Sequence, residues 1–407
     1  MTYIHERKDW PEFRWDEPLI GGLLANLRHR QGRLLGRMEA MGFSLREEAV
    51  LRTLTSDVIK TSEIEGETLD HDQVRSSLAR RLGIEIGALT PAERNVEGIV
   101  EVMLDATQKF REPLTEDRLF GWHAALFPTG RSGMSKIIVG NWRDDSDGPM
   151  QVISGPFGRE RVHFEAPEAK RLKREMRAFL KWYNDGPAMD AVLKAAHAHL
   201  WFVTIHPFAD GNGRIARAIA DMSLARSEDT AQRFYSMSTQ IRTERSMYYK
   251  QLEQTQKGDL DITDWLNWFL GCLERAFLGA EEILSVVLHK AEFWNTHKDA
   301  NLNERQKLML NKLLDGFDGK LTSSKWAKIA HCSQDTASRD IDALIKLRIL
   351  QKDEGGGRST SYSLKDRQGG REHLPPSGSA FKEIALLGEQ FIDPEQMTEF
   401  VVKMRKL

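Results

Sequence analysis

This sequence is poor in cysteine and contains no long apolar run. Its 2 cysteines, Cys272 and Cys332, lie far apart, so they favour neither a disulfide framework nor a metal cluster, as is typical of a reducing compartment. No apolar run approaches the ~20 residues that a membrane span needs. Residues 1–18 are charged and aromatic, unlike a secretory signal. We therefore expect a soluble, cytoplasmic protein without a membrane partner.

Net charge is nearly absent as well. The chain has 58 Lys and Arg residues against 60 Asp and Glu residues, a formal net charge of −2. Nothing in this overall charge requires a nucleic-acid or membrane-surface partner. The 407 residues are enough for two or three domains with their own cores. Evidence for function therefore has to come from local patterns.

The most informative pattern is the stretch His-Pro-Phe-Ala-Asp-Gly-Asn-Gly-Arg-Ile-Ala-Arg at residues 206–217. Apolar residues with helical spacing precede it at 195–205 and follow it at 215–224, which predicts a short loop between two helices. The first N–H groups of a helix lack intrahelical partners and attract anions such as phosphate. Arg214 and Arg217 lie three residues apart, so both reach the same end of the second helix.

Other residues of this stretch carry reactive or flexible groups. His206 at the loop entrance is the candidate general base. Asp210 is placed to hold a Mg²⁺ ion that bridges phosphate oxygens. The glycines on both sides of Asn212 let the backbone turn sharply and approach a ligand closely. Together these residues indicate a phosphate-binding site with a base beside it.

The stretch resembles the signature of the Fic family, His-Pro-Phe-x-Asp/Glu-Gly-Asn-Gly-Arg-x-x-Arg, at every fixed position. The resemblance implies a helical enzyme that uses ATP and Mg²⁺ to transfer AMP to a protein hydroxyl. It makes His206 the base and Asp210 the magnesium ligand. It implies that the phosphates of ATP are bound by Gly211, Asn212, Gly213, Arg214 and Arg217. The phosphotransferase branch of the family carries Lys where Gly213 stands here, which favours nucleotidyl over phosphoryl transfer.

A second pattern, Thr-Ser-Glu-Ile-Glu-Gly, ends a predicted helix at residues 61–66. It resembles the Ser/Thr-x-x-x-Glu-Gly/Asn pattern of Fic proteins that have an N-terminal inhibitory helix. The matching residues are Thr61, Glu65 and Gly66. The resemblance implies that Glu65 pairs with Arg217 and so occupies the guanidinium that would bind the γ-phosphate of ATP. The neighbouring carboxylates of Glu63 and Glu67 lie outside the pattern, and we expect their removal to leave activity unchanged.

Two further segments take a role from the resemblance. Short strand patterns within residues 131–166 predict a β-hairpin, and in Fic proteins such a flap pairs with the backbone of the target. The predicted flap covers residues 150–155, and its docking residues are Val152, Ile153 and Ser154. Residues 245–249 resemble the segment that contributes to the adenine pocket. Both Tyr248 and Tyr249 are candidates for contacting the base.

Residues 303–365 resemble a winged helix-turn-helix, with three helical patterns followed by two strand patterns around a glycine turn. This segment has 12 Lys and Arg residues against 8 Asp and Glu residues. Arg339 on its third helix and Arg358 in its wing are candidate contacts to DNA phosphates. Protein contacts or dimerisation, including a homodimer, stay open as alternatives, because the fold alone does not fix function.

The sequence thus predicts a mainly α protein with a Fic-type helical core, a small β-hairpin flap and a C-terminal winged helix-turn-helix domain. Its expected parts are a helical module with the inhibitory helix, a catalytic core, the winged helix and a tail, at residues 1–95, 96–296, 303–365 and 366–407. A helix start is expected at residues 90–93, where Thr-Pro-Ala-Glu forms a capping box.

The expected activity is AMP transfer to Ser, Thr or Tyr of a target protein or of the enzyme itself, autoinhibited by the pairing of Glu65 with Arg217. One alternative is AMP removal, with Glu65 orienting a water molecule. Another is a winged-helix transcription regulator whose core only senses a nucleotide. The intact His206 weighs against the regulator, because sensing needs no base.

Overall fold

The computed structural model describes residues 2–365, apart from residues 41, 42, 87, 88, 147, 156–158, 187, 315, 316, 318 and 354–359. The chain is mainly helical, which confirms the predicted fold class. It divides into two compact units, whose described parts are residues 2–281 and 282–365. The finer division into a module at 1–95 and a core at 96–296 stays a prediction.

The helices up to residue 296 are α1 (Glu17–Glu39), α2 (Phe43–Ile64), α3 (His71–Leu82), α4 (Arg94–Gln108), α5 (Glu116–Leu126), α6 (Ala169–Asp185), α7 (Ala191–Ile205), α8 (Asn212–Glu228), α9 (Met237–Thr243), α10 (Arg245–Gln256) and α11 (Thr263–Thr296). Four short strands lie between α5 and α6, namely β1 (Arg131–Ser132), β2 (Ser135–Lys136), β3 (Gln151–Ser154) and β4 (Arg161–Glu165). None of the described helices is both long and apolar enough to cross a membrane.

Helices α7 and α8 form the centre of the first unit. All residues of α7 except Ala191 and Lys194 are buried, because a helix that is apolar on every side is stable only inside a protein. Helix α8 packs against α7 and α4, while α2 packs against α3, α9 and α8. The loop that joins α7 to α8 is therefore fixed by core packing on both sides.

Strands β3 and β4 form the predicted hairpin. They are antiparallel, and their register pairs Gln151 with Glu165 at one end and Ser154 with Arg161 at the other. The register shifts in between, so that His163 is an extra residue on β4 without an opposite residue on β3. Such a β-bulge redirects the side chain of the extra residue.

The second unit contains α12 (Glu304–Leu314), α13 (Ser323–Ile329), α14 (Gln334–Lys346) and the antiparallel strands β5 (Leu350–Lys352) and β6 (Tyr362–Leu364). Its core includes the fully buried Trp326. The side chain of Ser333 caps α14. This order of elements is the one expected for residues 303–365. The predicted wing residue Arg358 and the tail at 366–407 lie outside the described residues.

Candidate active site

The loop between α7 and α8 turns through two left-handed residues. His206 ends α7 with φ 50° and ψ 58°, and Gly211 precedes α8 with φ 79°. A side chain on Gly211 would also collide with the ring of Phe127. The side-chain amide of Asn212 closes the loop, since it accepts a hydrogen bond from Phe208 N–H at 2.9 Å and donates one to Phe208 O at 2.8 Å. Asn212 therefore shapes the loop through its side chain.

Arg143 holds the His206 end of the loop in place. Its Nε donates to His206 O at 2.8 Å, and its backbone N–H donates to Pro207 O at 2.9 Å. The residue is buried, and Asp145 balances its charge at 2.8 Å. These bonds stabilise a left-handed conformation that is unfavourable for residues other than glycine. This role could not be predicted from the sequence, because the partners are backbone carbonyls more than 60 residues away in the chain.

His206 carries the chemistry expected of a general base. Its Nδ1 lies 3.2 Å from Val203 O, and because a carbonyl oxygen only accepts, Nδ1 is the donor. The lone pair is then on Nε2. Burial, together with the Arg143 cation, lowers the pKa of His206 to about 4. The imidazole is therefore neutral near pH 7 and able to accept a proton.

The first turn of α8 has the features of an anion site. Its free N–H groups are joined by the buried guanidinium groups of Arg214 and Arg217. Among the described residues, Arg214 Nε and Arg217 Nη1 have no hydrogen-bond partner. A Cβ on Gly213 would collide with the carboxylate of Glu65, so a larger residue at this point would require that carboxylate to shift. These two buried arginine donors lie at a turn that has no side chain at Gly213. Such an arrangement fits the phosphate groups of a nucleotide.

Asp210 lies at the edge of this loop. Its Oδ1 accepts from Gly211 N–H at 2.5 Å, and its Oδ2 accepts from the hydroxyl of Ser132 in the β1–β2 hairpin. One carboxylate at a phosphate site fits Mg²⁺, which is commonly held by one or two carboxylates plus substrate phosphates.

The end of α2 approaches α8 as expected for an inhibitory helix. Arg217 Nη2 donates to Glu65 Oε1 at 2.7 Å and to Thr61 O at 2.9 Å, and its Nε donates to Thr61 Oγ1 at 2.7 Å. Only 3% of the Arg217 side chain and 18% of the Glu65 side chain are exposed. Burial by itself would raise the pKa of Glu65, but the Arg217 cation outweighs it and lowers this pKa below its ordinary value. The pair is therefore fully ionised near neutral pH.

Gly66 turns the chain at the end of α2. Its φ is 85°, its N–H donates to Glu63 O at 3.1 Å, and Glu67 N–H donates to Ser62 O at 3.0 Å. This is the hydrogen-bond pattern of a Schellman motif. The turn brings the residues on both sides of Gly66, Glu65 and Glu67, to the start of α8.

Glu67 makes a contact that the sequence did not predict. Its Oε2 accepts from Arg214 Nη1 at 2.7 Å. Burial, with the carboxylates of Asp210 and Glu65, raises the pKa of Glu67 despite this cation. Each arginine of the signature thus has one acidic partner from the end of α2. One signal in the sequence points to this contact. Glu67 lies two residues beyond Glu65 and directly after Gly66, where a turn brings both carboxylates to the start of α8.

A cleft opens next to His206. It contains about 590 Å³ of space that no protein atom fills, including its opening to solvent. Its lining includes Glu65, Val152, His163, His206, Gly213, Tyr248, Tyr249 and Glu253. The structure thus brings the candidate base, the candidate inhibitory carboxylate, the predicted phosphate loop and part of the flap to one cavity.

The two tyrosines of α10 differ in their surroundings. The Tyr248 hydroxyl lies 2.9 Å from His199 Nε2 in the core, and burial raises the pKa of Tyr248 to about 12. The Tyr249 hydroxyl lies 3.5 Å from Glu65 Oε2, and Arg245 stacks 5.1 Å above its ring.

Of the flap residues, Val152 lines the cleft, whereas Ile153 and Ser154 are buried.

Comparison with known families identifies the central region. The Fic/DOC family model matches residues 113–224, which include the whole 206–217 signature. This region is a Fic domain. A second model, a domain of unknown function (DUF4172), matches residues 3–84. Glu65 and Glu67 therefore lie outside the Fic domain, in the DUF4172 region.

Curated relatives of the Fic domain carry the name protein adenylyltransferase. Protein adenylyltransferase fic-1 of Caenorhabditis elegans is 28% identical over 205 residues, which cover 50% of this chain and 37% of that protein. Protein adenylyltransferase Fic of Aedes aegypti is 25% identical over 228 residues, which cover 52% of this chain and 38% of the mosquito protein. The chain thus spans little more than a third of the length of these relatives.

Two solved Fic structures align with parts of this chain. A Fic family protein from Desulfovibrio desulfuricans G20 aligns over 87% of this chain and 98% of its own, with 21% identity and a TM-score of 0.49. The Fic-1 fragment from C. elegans aligns over 66% of this chain and 74% of its own, with 20% identity and a TM-score of 0.44.

Proposed function

We propose that the Fic domain transfers AMP from ATP to a hydroxyl side chain of a target protein. The main observation behind this proposal is that the neutral imidazole of His206 lies beside the candidate anion site at the start of α8. His206 Nδ1 donates to Val203 O, so the lone pair on Nε2 can accept a proton. Helix α8 starts six positions after His206, and in the described part of the chain it carries unused donors on Arg214 and Arg217. The shared name of the relatives, protein adenylyltransferase, supports this reaction.

The proposed step needs one base and one set of phosphate contacts. His206 Nε2 takes the proton of the target hydroxyl while its oxygen forms a bond to the α-phosphorus of ATP. The bond from this phosphorus to the oxygen that bridges to the β-phosphorus breaks, and pyrophosphate leaves. The N–H groups of α8 and Arg214 stabilise the charge on the phosphate oxygens. Mg²⁺, held by Asp210, would supply further charge neutralisation when bound.

The same contacts support autoinhibition. Arg217 already uses Nε and Nη2 on Thr61 and Glu65, and the Glu65 carboxylate lies against Gly213 in the phosphate loop. A γ-phosphate would meet this negative charge and would have to displace it from Arg217. Because positioning supplies most of the catalysis of phosphoryl chemistry, a displaced triphosphate reacts slowly.

The proposal is tested by incubating the protein with labelled ATP in a cell lysate and identifying modified proteins by mass spectrometry. Appearance of AMP on Ser, Thr or Tyr of a protein, or of the enzyme itself, supports it. A Glu65→Gly variant with no AMP-modified product in such a lysate overturns it.

Removal of AMP from a modified protein is the second candidate. The observation that favours it is the shared cleft, which Glu65 and His206 both line. A water molecule oriented by the Glu65 carboxylate would attack the phosphorus of the AMP ester. The bond from this phosphorus to the protein oxygen would break, releasing AMP and restoring the protein hydroxyl. For this reaction Glu65→Gly abolishes activity, whereas for inhibited AMP transfer the same change increases it.

The second unit is proposed to bind DNA. Its third helix α14 carries the exposed Arg339, and its segment 303–365 has a surplus of four positive charges. A helix of this kind with basic residues suits the phosphate backbone. Protein contacts, including those of a homodimer, are the outcome if no duplex binds.

A further inference from the structure

A chain of hydrogen bonds joins the flap to helix α10 next to the cleft. Ser154 Oγ lies 2.6 Å from His163 Nε2, and His163 Nδ1 lies 2.7 Å from Glu253 Oε2. Because a carboxylate only accepts, Nδ1 donates to Glu253, and in the neutral imidazole Nε2 accepts from the Ser154 hydroxyl. The chain thus runs from β3 through β4 to α10.

The β-bulge explains why His163 reaches α10. As the extra residue of β4, His163 has no opposite residue on β3. Its side chain is buried and lines the cleft together with Glu253. In a regular antiparallel ladder, side chains alternate strictly between the two faces of the hairpin. The extra residue shifts this alternation by one position, so the side chains of β4 on one side of the bulge exchange faces.

Glu253 is the hub of these contacts. Its carboxylate also accepts from Arg161 Nη2 at 2.9 Å and from Lys257 Nζ at 2.5 Å. Burial opposes its charge, but Lys257, His163 and Arg161 outweigh burial and lower the pKa of Glu253 to about 2. A carboxylate that stays ionised keeps the buried His163 of β4 tied to α10 over the whole physiological pH range.

Strand β3 faces the reaction site through Val152, which lines the cleft with His206. The flap is a two-stranded sheet, and such an isolated hairpin is only marginally stable unless another element supports it. Its height above His206 therefore depends on what holds it to the helical core. We propose that Glu253 is a positioning residue which, through His163, fixes the flap at the distance where an acceptor hydroxyl meets His206. This role rests on the proposed AMP transfer.

Nucleophilic triads contain the same hydrogen-bonded order of a serine, a histidine and a glutamate. Ser154 is buried, however, with 8% exposure, and the cleft is lined by His163 and Glu253. We therefore assign the chain to anchoring of the flap. Ser154→Ala separates the two roles, because an anchor loses one terminal hydrogen bond, whereas a nucleophile loses all activity.

The test compares Glu253→Gln, which keeps the shape of the side chain, with Arg161→Gln, whose side chain is 70% exposed. Exposed ion pairs contribute little, so Arg161→Gln serves as the matched control. Two quantities are measured for each full-length variant. One is deuterium uptake of the backbone amides of Gln151–Ser154. The other is the rate of AMP transfer at saturating ATP, alongside the KM for ATP, in a Glu65→Gly background.

Glu253→Gln is expected to speed deuterium uptake in β3 and to lower the transfer rate by about 10–10²-fold, as misplaced reactants do, with the KM for ATP nearly unchanged. Ser154→Ala should have a much smaller effect. Unchanged deuterium uptake overturns the proposal, and so does a raised KM with an unchanged rate, which would mean that Glu253 contacts the nucleotide. Complete loss of activity in Ser154→Ala favours the nucleophile instead. If the parent protein transfers no AMP, the proposed function fails, while deuterium uptake still decides whether Glu253 anchors the flap.

Discussion

Replacing Glu65 by glycine should activate AMP transfer. The substitution removes the carboxylate that pairs with Arg217 at 2.7 Å and returns this guanidinium to an incoming γ-phosphate. Both side chains are largely shielded from water, so the contact belongs to the stronger class of charge-assisted hydrogen bonds. A bond of this class contributes about 1.5–3 kcal/mol. If ATP must displace it, its loss raises the transfer rate by about 10- to 150-fold.

Glu63→Gly is the matched control, because it removes the same side chain two residues earlier in the same helical turn. Glu63 pairs with Lys60 at 2.8 Å and with Arg242 at 3.4 Å, and not with either arginine of the signature. Its removal should leave the rate near that of the unmodified protein. The assay is incorporation of labelled AMP into protein, run side by side for both variants.

Two results would refute the reasoning behind this prediction. Equal rates for Glu65→Gly and Glu63→Gly would mean that the end of α2 does not restrain the phosphate site. An inactive Glu65→Gly, combined with an unmodified protein that strips AMP from a modified substrate, would assign Glu65 to AMP removal.

Four further outcomes follow from the same structure. His206→Ala should lower AMP transfer by about 10²–10⁴-fold with ATP binding retained, and normal labelling would exclude His206 as the base. Because protonation removes the base, the transfer rate of the active enzyme should stay level down to pH 5 and fall as pH drops through about 4, where a pH–rate profile locates the pKa of His206. Glu67→Gln should raise the rate by less than Glu65→Gly does, since 48% of the Glu67 side chain is exposed; no change would make its contact with Arg214 irrelevant to the phosphate site. Arg339→Ala should weaken binding of the full chain to a DNA duplex and make that binding less dependent on salt, and salt-independent or absent binding of the unmodified protein would favour protein contacts.

The loop between α7 and α8 was readable from the sequence because its residues are contiguous. Helix geometry places Arg214 and Arg217 on the same side of α8 whatever surrounds them. The pair between Glu65 and Arg217 is different, since the two residues lie 152 positions apart and only the family resemblance joined them. The neighbouring contact of Glu67 with Arg214 had no such guide and was missed. Our expectation that removal of Glu67 leaves activity unchanged was made without this contact, which favours a raised rate instead.

Local signals failed where tertiary contacts compete with them. The capping box expected at residues 90–93 does not start a helix, because α4 begins at Arg94. The N–H of Thr90 donates instead to Ser76 Oγ at 2.9 Å, and the N–H of Glu93 donates to Gln73 Oε1 at 2.9 Å. Both acceptors lie on α3, so this segment connects two helices. Residue patterns within four positions carry no information about such partners.

The central claim, AMP transfer by the Fic domain, is tested most directly by comparing ATP labelled at the α-phosphate with ATP labelled at the γ-phosphate. The Glu65→Gly protein and its His206→Ala derivative are each incubated with both nucleotides and a cell lysate, and label on protein is counted. We predict that protein gains the α-label and not the γ-label, and that His206→Ala removes the gain. Incorporation of the γ-label would show phosphoryl transfer, and incorporation of the α-label that does not depend on His206 would contradict the mechanism.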